Sequence, residues 1–342
     1  HTSLESRHCG IVLRYCYYSF VRIVFFGSPE YAVPSLRACL EHPSAKVVAV
    51  VTQPDRSQGR SRKLLRTPVK QLAEEVNIES IFQPEQTNRA TTQLLSELMP
   101  DIGVVAAYGN ILPTHLLDIF PRKVLNVHAS LLPRHRGAAP VAAAISSGDT
   151  ETGVTLMRVV RKLDAGPIID KISVPIGPFD NTGSLTDTIA QLGADLLTKQ
   201  LTPWFTNELS ETPQNESKMT YATRLTKSDG HIDWTQSATQ IDRHIRAVTP
   251  WPSAVTTYQN QRFTIHEAWP VPELDTHEVP GTVITGDGST LTRLLPNRTR
   301  RAIVACGQGS LVLLRVQRPG RQAQNIESYL NGDTSFLGSQ LS

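Results

Sequence analysis

The feature of this chain that most constrains its fold is the alternation of short apolar runs with helix-spaced segments between residues 21 and 146. The apolar runs are predicted strands, at Val21–Phe26, Lys46–Val51, Ser80–Phe82, Ile102–Ala106 and Val124–Val127. The segments between them carry apolar residues three or four positions apart and predict helices, at Glu30–Leu40, Pro68–Asn77, Asn88–Leu98 and Ala138–Ser146. Such alternation predicts an α/β domain with an open, mostly parallel, Rossmann-like sheet, which binds ligands beyond the carboxyl ends of its strands.

The length of the chain and the positions of its Gly and Pro residues indicate a second domain. Its 342 residues suffice for about two domains, and Leu185–Trp204 has the pattern of an amphipathic helix that closes the first. Gly and Pro then separate short strand candidates, which is typical of a small OB-like β-barrel. These candidates are Thr256–Glu267, Gly281–Thr285, Ala302–Ala305 and Leu311–Arg315. We therefore predict an extension at 1–20, a first domain at 21–204, an exposed polar linker at 205–223, a second domain at 224–332 and a tail at 333–342.

Composition excludes several classes of protein. Apolar residues make up 39% of the chain and charged residues 19%, which is a composition that folds. No run of about 18 apolar residues is present, so we expect no membrane span, and a net charge of +3 excludes a uniformly basic surface. The cysteines have no metal-ligand spacing, so we expect no metal site and a cytoplasmic location. They are Cys9, Cys16, Cys39 and Cys306.

Residues 1–20 contribute nothing to the predicted fold. They lack the charged, apolar and small-residue regions of a signal peptide. Two interpretations stay open: a short organelle-targeting segment, or a stretch upstream of a natural start at Val21.

The polar residues best placed for chemistry lie at the end of the fifth predicted strand. Asn126 and His128 are two positions apart, so their side chains leave the same face of the strand. A neutral imidazole can accept a proton and an amide can donate to an oxyanion, while Asp164 could orient the imidazole. Spacing alone also allows Asn126 and His128 merely to satisfy backbone groups. Because no nucleophile-elbow or GxGxxG pattern is present, the residues favour direct group transfer over covalent or dinucleotide chemistry.

The segment NVHASLLPRHRGAAP at 126–140, with LDAGPI at 163–168, resembles the signature of the folate-dependent formyltransferases. Further similar segments are TQPDR at 52–56, AYGNILP at 107–113 and AVTPWPSA at 247–254, so the resemblance spans nearly all of 21–332. It implies the formyltransferase fold, with a catalytic first domain and a tRNA-binding second domain. It also implies formyl transfer from 10-formyltetrahydrofolate to the amino group of initiator methionyl-tRNA.

The resemblance assigns roles to individual residues. It implies that Asn126, His128 and Asp164 are the catalytic set, although it leaves open whether His128 acts as base or electrophile; proton relay is the commoner task for a histidine. Folate contacts are implied for a short loop and for a second segment, namely Ser130, Leu131, Leu132 and Pro133 together with Tyr108 and Gly109. His135 departs from the family, whose members usually carry an aromatic residue there.

Two basic segments are consistent with a tRNA partner. Residues 52–72 carry six basic residues against one acidic residue, and residues 291–321 carry seven arginines and no acidic residue. Lysine and arginine clusters of this kind neutralise phosphates. The predicted tRNA contacts are Arg56, Arg60, Arg62, Lys63, Arg298, Arg300 and Arg301.

Two other functions remain open at this point: formyl transfer to a small amine, such as an amino-sugar nucleotide or a purine precursor, and a folate- or RNA-binding protein without catalysis. The basic segments and the second domain disfavour the first, and the intact catalytic set disfavours the second. We expect a monomer, and we expect Trp251, between two prolines, to be a packing anchor at the domain junction.

Overall fold

The computed structural model describes residues 20–58, 63–285 and 302–342 and confirms the predicted α/β fold with a smaller antiparallel second domain. The strands of the first domain are β1 (Val21–Gly27), β2 (Ala45–Val51), β3 (Arg56–Gln58), β4 (Lys63–Leu65), β5 (Ile81–Phe82), β6 (Ile102–Ala106), β7 (Val124–His128), β8 (Arg136–Gly137), β9 (Glu151–Arg158) and β10 (Ile168–Pro175). Its helices are α1 (Val33–Glu41), α2 (Pro68–Glu75), α3 (Arg89–Glu97), α4 (Thr114–Leu117), α5 (Pro140–Ser147) and α6 (Thr182–Phe205).

Seven of these strands form one sheet in the order β10-β9-β7-β6-β1-β2-β5. Strands β5, β2, β1, β6 and β7 are parallel, as their alternation with helices requires. Strands β9 and β10 add an antiparallel pair beside β7. Neither β9 nor β10 was among the predicted strands. Strand β7 therefore lies at the boundary between the parallel strands and this antiparallel pair.

Apolar side chains cover both faces of the sheet. On one face, α1 and α6 pack over Phe25, Val104 and Val127. On the other face, Val24 and Phe26 lie in a second cluster with α3 and α4. Burial on both faces explains why β1 reads as a continuous apolar run and not as an alternating one.

The second domain is a curled antiparallel sheet, a half-barrel, in the order β12-β13-β16-β15-β14 with β17 beside β16. Its elements, with the strand β11 that precedes it, are β11 (Tyr221–Ala222), α7 (Ala238–Ala247), β12 (Ala254–Tyr258), β13 (Gln261–Val271), β14 (Val283–Thr285), β15 (Ala302–Ala305), β16 (Ser310–Gln317), β17 (Gln324–Asn325) and α8 (Ile326–Gly332). The single strand predicted over Thr256–Glu267 is instead a hairpin, because Gln259 and Asn260 both have positive φ and turn the chain.

Residues 333–342, predicted as a tail, pack into this domain. Phe336 is wholly buried in its core and Leu341 is 1% exposed. The amide of Leu341 donates to the carbonyl of Gly281 over 2.9 Å. Within the described ranges, no helix is both long and apolar enough to cross a bilayer.

The expectation that Trp251 anchors the domain junction is wrong, because its side chain is 52% exposed. The neighbouring backbone makes the contact instead: the carbonyl of Thr249 accepts from the amide of Gly183 at the start of α6. Pro252 is buried, which leaves Trp251 on the outside of the turn.

Candidate active site

Strand β7 presents the two polar side chains of the site on one face of the sheet. Asn126 is partly buried and His128 is 6% exposed, while Val127 between them points into the core beneath α6. Gly193 of α6 lies against Val127, where a Cβ would approach the valine methyl to 2.6 Å. The alternation along β7 thus fixes the direction of Asn126 and His128 by burying the residue between them.

The imidazole of His128 is held by a backbone carbonyl. Its Nε2 lies 3.0 Å from the carbonyl oxygen of His135. A carbonyl can only accept a hydrogen bond, so Nε2 carries the proton in the neutral ring and Nδ1 is the unprotonated nitrogen. Nδ1 faces Asp164, whose Oδ2 is 3.8 Å away. A proton taken up at Nδ1 would therefore arrive beside a carboxylate.

Asp164 reaches this histidine from the loop that joins β9 to β10. Strand β9 runs antiparallel to β7 and ends at Arg158 beside Leu125, so the loop must fold back across the sheet. Oδ1 of Asp164 then lies 3.5 Å from Nδ2 of Asn126, and Oδ2 accepts from the amide of Gly137 over 2.9 Å. The structure thus brings Asn126, His128 and Asp164 together, although they are separated by up to 38 residues in sequence.

Thr155 of β9 fixes the loop that follows β7. Its hydroxyl donates to the carbonyl of Ser130 over 2.6 Å and accepts from the amide of Leu132 over 3.1 Å. The hydroxyl of Ser130 donates to the carbonyl of Arg134. Leu132 is wholly buried, while Leu131 and Pro133 are partly exposed. Among the residues predicted to contact folate, Leu131 and Pro133 therefore expose side chains, whereas Ser130 and Leu132 support the loop.

Tyr108 and Gly109 follow β6 at the same end of the sheet. The side chain of Tyr108 is 2% exposed and packs edge-on against Phe26 in the core, so it does not line a surface. Its carbonyl instead accepts from the hydroxyl of Ser28 and from Nε2 of Gln53. At Gly109, which has φ +89°, a Cβ would meet only Nε2 of Gln53 within 4 Å. The Gly109 backbone therefore borders open space.

His135, where the resemblance leads us to expect an aromatic residue, is 4% exposed. Its Nε2 lies 2.7 Å from Oδ2 of Asp149, and its amide donates to the hydroxyl of Thr220 over 2.8 Å. These contacts hold the backbone whose carbonyl receives the hydrogen bond from His128.

The segment predicted as an exposed linker contributes directly to the site. Strand β11 pairs in parallel with β8, and Gln214 donates from Nε2 to the carbonyls of Asp164 and Gly166 over 2.8 and 2.7 Å. The guanidinium of Arg136, which is wholly buried, contacts both Gln214 and Glu216. These residues were not predicted from the sequence; the one available signal was Arg136, a charged residue inside the motif at 126–140.

Glu216 illustrates the charge balance of this segment. Its side chain is 53% exposed, but it accepts from Arg136 and from Lys162, each over 2.7 Å. These hydrogen bonds, with that from Arg136 the stronger, lower the pKa of Glu216 from 4.5 to about 2. Glu216 is therefore ionised at neutral pH and neutralises the buried guanidinium.

The first basic segment forms an antiparallel hairpin of β3 and β4 directly after β2. Three strand spacings separate β2 from β7, which is about 14 Å across the sheet. Arg56 is exposed, but Lys70 pairs with Asp55 over 2.6 Å and Arg66 with Glu74 over 2.8 Å. The hydrogen bond from Lys70 lowers the pKa of Asp55. Two cations of this segment are thus neutralised within the protein.

Most of the other predicted tRNA contacts lie outside the described residues. These are Arg60, Arg62, Arg298, Arg300 and Arg301. Lys63 begins β4. Among the residues that the structure does describe, no cluster of three or more His, Cys, Asp or Glu side chains is placed to hold a metal ion.

Comparison with known families agrees with this architecture. Residues 21–201 match the formyl transferase family and residues 224–334 match the formyl transferase C-terminal domain. The chain is 41% identical over 319 residues to the methionyl-tRNA formyltransferase of Marinobacter nauticus, covering 93% of this chain and 98% of that protein. It is 44% identical over 316 residues to the methionyl-tRNA formyltransferase of Methylococcus capsulatus, covering 91% and 96%.

Solved structures show the same fold at lower identity. WlaRD, a sugar 3N-formyl transferase crystallised with dTDP and 5-N-formyl-THF, aligns with a TM-score of 0.61 and 19% identity, covering 89% of this chain and 99% of that one. The N-formyltransferase of Helicobacter canadensis, in complex with folinic acid and dTDP-3-aminofucose, aligns with a TM-score of 0.59 and 18% identity, covering 86% and 98%.

Proposed function

This chain belongs to the methionyl-tRNA formyltransferase family, and we infer that it transfers a formyl group to the α-amino group of methionine on initiator methionyl-tRNA. The structural observation that best supports this inference is that Asn126, His128 and Asp164 lie together, with Nδ1 of His128 3.8 Å from the carboxylate of Asp164. These relatives confirm the formyltransferase family and the enzyme class that the sequence resemblance implied.

The reaction forms a C–N bond between the amine and the formyl carbon and breaks the bond from that carbon to the donor nitrogen. A free α-amino group has a pKa of about 7.7–8.0, so a substantial fraction is unprotonated and nucleophilic near neutral pH. Attack produces a tetrahedral intermediate that carries an oxyanion on carbon and an excess proton on nitrogen. Collapse of this intermediate expels the donor nitrogen, which takes up a proton.

The catalytic set supplies the two groups that this sequence of steps needs. Nδ1 of His128 accepts the proton from the amine, and Asp164 stabilises the imidazolium that results; the same proton then passes to the departing nitrogen. The tautomer that supports this role is set by the carbonyl of His135, which holds the proton on Nε2. The amide of Asn126 donates to the oxyanion. Of the two roles left open for His128, the geometry thus supports the base.

A folate-type donor is supported by the family and by the folate-bound structures of the same fold. The specific donor in this proposal is 10-formyltetrahydrofolate. We place it beside the Ser130–Pro133 loop and the backbone at Gly109, which follow the neighbouring strands β7 and β6 at the same end of the sheet; a Cβ at Gly109 would meet only Nε2 of Gln53 within 4 Å, so that backbone is accessible to a ligand. Tyr108 contributes indirectly: its ring is buried, and its carbonyl accepts from Nε2 of Gln53 and so holds that side chain beside Gly109.

The tRNA half of the proposal rests on the basic segments and the second domain. The hairpin of β3 and β4 directly follows β2, a strand of the same sheet as the catalytic set, and this supports the proposal that the first basic segment contacts the acceptor stem. Phosphate contacts from Arg56, Arg60, Arg62 and Lys63, and from Arg298, Arg300 and Arg301 in the second domain, complete the proposal. It also includes action as a monomer in the cytoplasm, which light scattering and localisation of a tagged chain would test.

The test compares two acceptors in parallel reactions. Purified protein would receive 10-formyltetrahydrofolate with charged initiator tRNA in one reaction and a dTDP-amino-sugar in the other, and formylated product would be measured by mass spectrometry. We expect transfer to the tRNA alone. Transfer only to the amino sugar would contradict the proposed acceptor while keeping the catalytic set, and transfer to neither would contradict enzymatic function.

A further inference from the structure

Gln214, in the segment between the domains, contacts the β9–β10 loop that carries Asp164 (residues 159–167, the aspartate loop) at two points. Its Nε2 donates to the carbonyl of Asp164 over 2.8 Å and to that of Gly166 over 2.7 Å. Its Oε1 accepts from Nε and Nη2 of Arg136, over 3.0 and 2.7 Å. All four hydrogen-bonding positions of this amide are thus accounted for.

Arg136 determines which way the amide of Gln214 points. The guanidinium is wholly buried and can only donate, so the oxygen of Gln214 must face it. The nitrogen is then directed at the two carbonyls, and the opposite orientation would place oxygen against oxygen and N–H against N–H. Glu216 holds the same guanidinium over 2.7 Å from the other side.

The loop that receives these bonds is conformationally strained. Asp164 has φ +45°, in the left-handed region that non-glycine residues adopt uncommonly. Its carboxylate accepts from the amide of Gly137, and its backbone carbonyl accepts from Gln214. Strain of this kind persists only where the surroundings over-determine the conformation.

We propose that Gln214 is a positioning residue for Asp164: its amide, oriented by Arg136, holds the Asp164 loop over the sheet so that the carboxylate faces Nδ1 of His128. The inference rests on the proposed function, since it assigns Gln214 a part in catalysis through Asp164. Gln214 itself touches no reacting atom.

Two substitutions of Gln214 distinguish its acceptor role toward Arg136 from its donor role toward the two carbonyls. Gln214→Glu keeps the acceptor for Arg136 but replaces the donor with an oxygen that faces two carbonyls. Gln214→Met keeps the length and removes both functions. Because small displacements of catalytic groups are costly, we expect kcat to fall about 10- to 100-fold in each variant. KM for the donor and for the tRNA should change less than about 2-fold, since the hydrogen-bonding positions of the Gln214 amide are all used by Arg136, Asp164 and Gly166.

A double mutant tests whether the effect passes through Asp164. In an Asp164→Asn background, measured by single-turnover kinetics, Gln214→Glu should cause no further loss of rate. A general weakening of the fold would instead multiply the two losses. The matched control is Gln191→Met, which alters an exposed glutamine on α6 that bonds only Asp195 among the described residues; its kcat should equal that of the parent.

The amide of Gly137 provides a readout that does not depend on turnover. Its hydrogen bond ends on Oδ2 of Asp164, so release of the loop should accelerate its hydrogen–deuterium exchange, measured by NMR, by about 10-fold or more. Gln191→Met should leave that exchange unchanged. Should the parent transfer no formyl group, the proposed function fails and the Gly137 amide alone decides the inference. For an active parent, an unchanged kcat in Gln214→Glu and Gln214→Met overturns the proposal whatever the amide does.

Discussion

The backbone amide of Gly137 donates to Oδ2 of Asp164 over 2.9 Å, which ties the strand after the Ser130–Pro133 loop to the aspartate loop. Gly137 has φ +118°, and a Cβ there would lie 2.5 Å from the carbonyl of Ala222. The residue is glycine for both reasons, since an L side chain would be strained and would collide with β11.

Gly137→Ala should therefore reduce both stability and formylation. We expect Tm to fall by several degrees and kcat by at least about 10-fold, as measured by calorimetry and initial rates. Gly320→Ala is the matched control, because Gly320 also has positive φ but its Cβ would meet nothing within 4 Å. Equal effects of the two substitutions would show that backbone strain alone, without the contact to β11, accounts for the loss.

Replacing His128 or Asp164 by alanine should collapse the rate and leave tRNA affinity nearly unchanged. Loss of a general base typically costs about 100- to 10,000-fold in rate, whereas the predicted phosphate contacts lie elsewhere. Single-turnover formylation and filter binding of charged tRNA would measure the two quantities. Parallel losses in rate and affinity would contradict a catalytic role and indicate a structural one.

Acid should weaken the contribution of Glu216 to stability. Its pKa is lowered from 4.5 to about 2 by the hydrogen bonds from Arg136 and Lys162, so the stabilisation is complete above pH 4.5 and is lost as the pH falls toward 2. The difference in Tm between the parent and Glu216→Gln should accordingly shrink across that range. Glu97→Gln, at an exposed position on α3, is the control and should show no such trend. A difference in Tm between the parent and Glu216→Gln that stays constant with pH would show that ionisation of Glu216 does not contribute to stability.

The two tryptophans of contrasting exposure should differ in their contribution to stability. Trp234 is 5% exposed and donates to the hydroxyl of Thr256 over 3.0 Å, so Trp234→Ala should cost about 3–5 kcal/mol. Trp251→Ala, at a half-exposed position, should cost less than about 1 kcal/mol. Urea denaturation would measure both, and a comparable loss for Trp251 would restore the junction-anchor interpretation.

Salt dependence tests the basic hairpin. If Arg60 neutralises a phosphate, Arg60→Ala should weaken tRNA binding and reduce the slope of log K against log salt by about 1. Lys199→Ala removes an exposed cation that pairs with Asp170 and should leave the slope unaltered. A slope identical to that of the parent would exclude Arg60 from the tRNA interface.

Strands β1, β2 and β6 were predictable because burial on both faces makes each one a largely apolar run between helical segments. Strands β9 and β10 were not predicted, because both lie outside the alternation of strands with helices; β10, at the edge of the sheet, also alternates between partly buried and exposed residues. The hairpin of β12 and β13 was also hidden, because Gln259 and Asn260 make its turn without glycine.

The candidate site divides in the same way. Asn126 and His128 follow from the two-residue period of one strand, and Asp164 was assigned by resemblance. The role of Gln214 could not be predicted from the sequence, because its side chain contacts backbone carbonyls about 50 residues away. Such contacts leave no local periodicity, and polar composition alone favours an exposed linker.

The path of the chain between the domains limits how this enzyme can be truncated or recombined. A cut directly after Phe205, at the end of α6, would remove Gln214 and β11, so the remaining fragment would keep the catalytic set but lose what holds its aspartate loop and β8. Chimeras that exchange second domains among relatives should therefore join after Ala222. The hydrogen bonds of the first domain thus extend to Ala222, seventeen residues beyond the end of its last helix at Phe205.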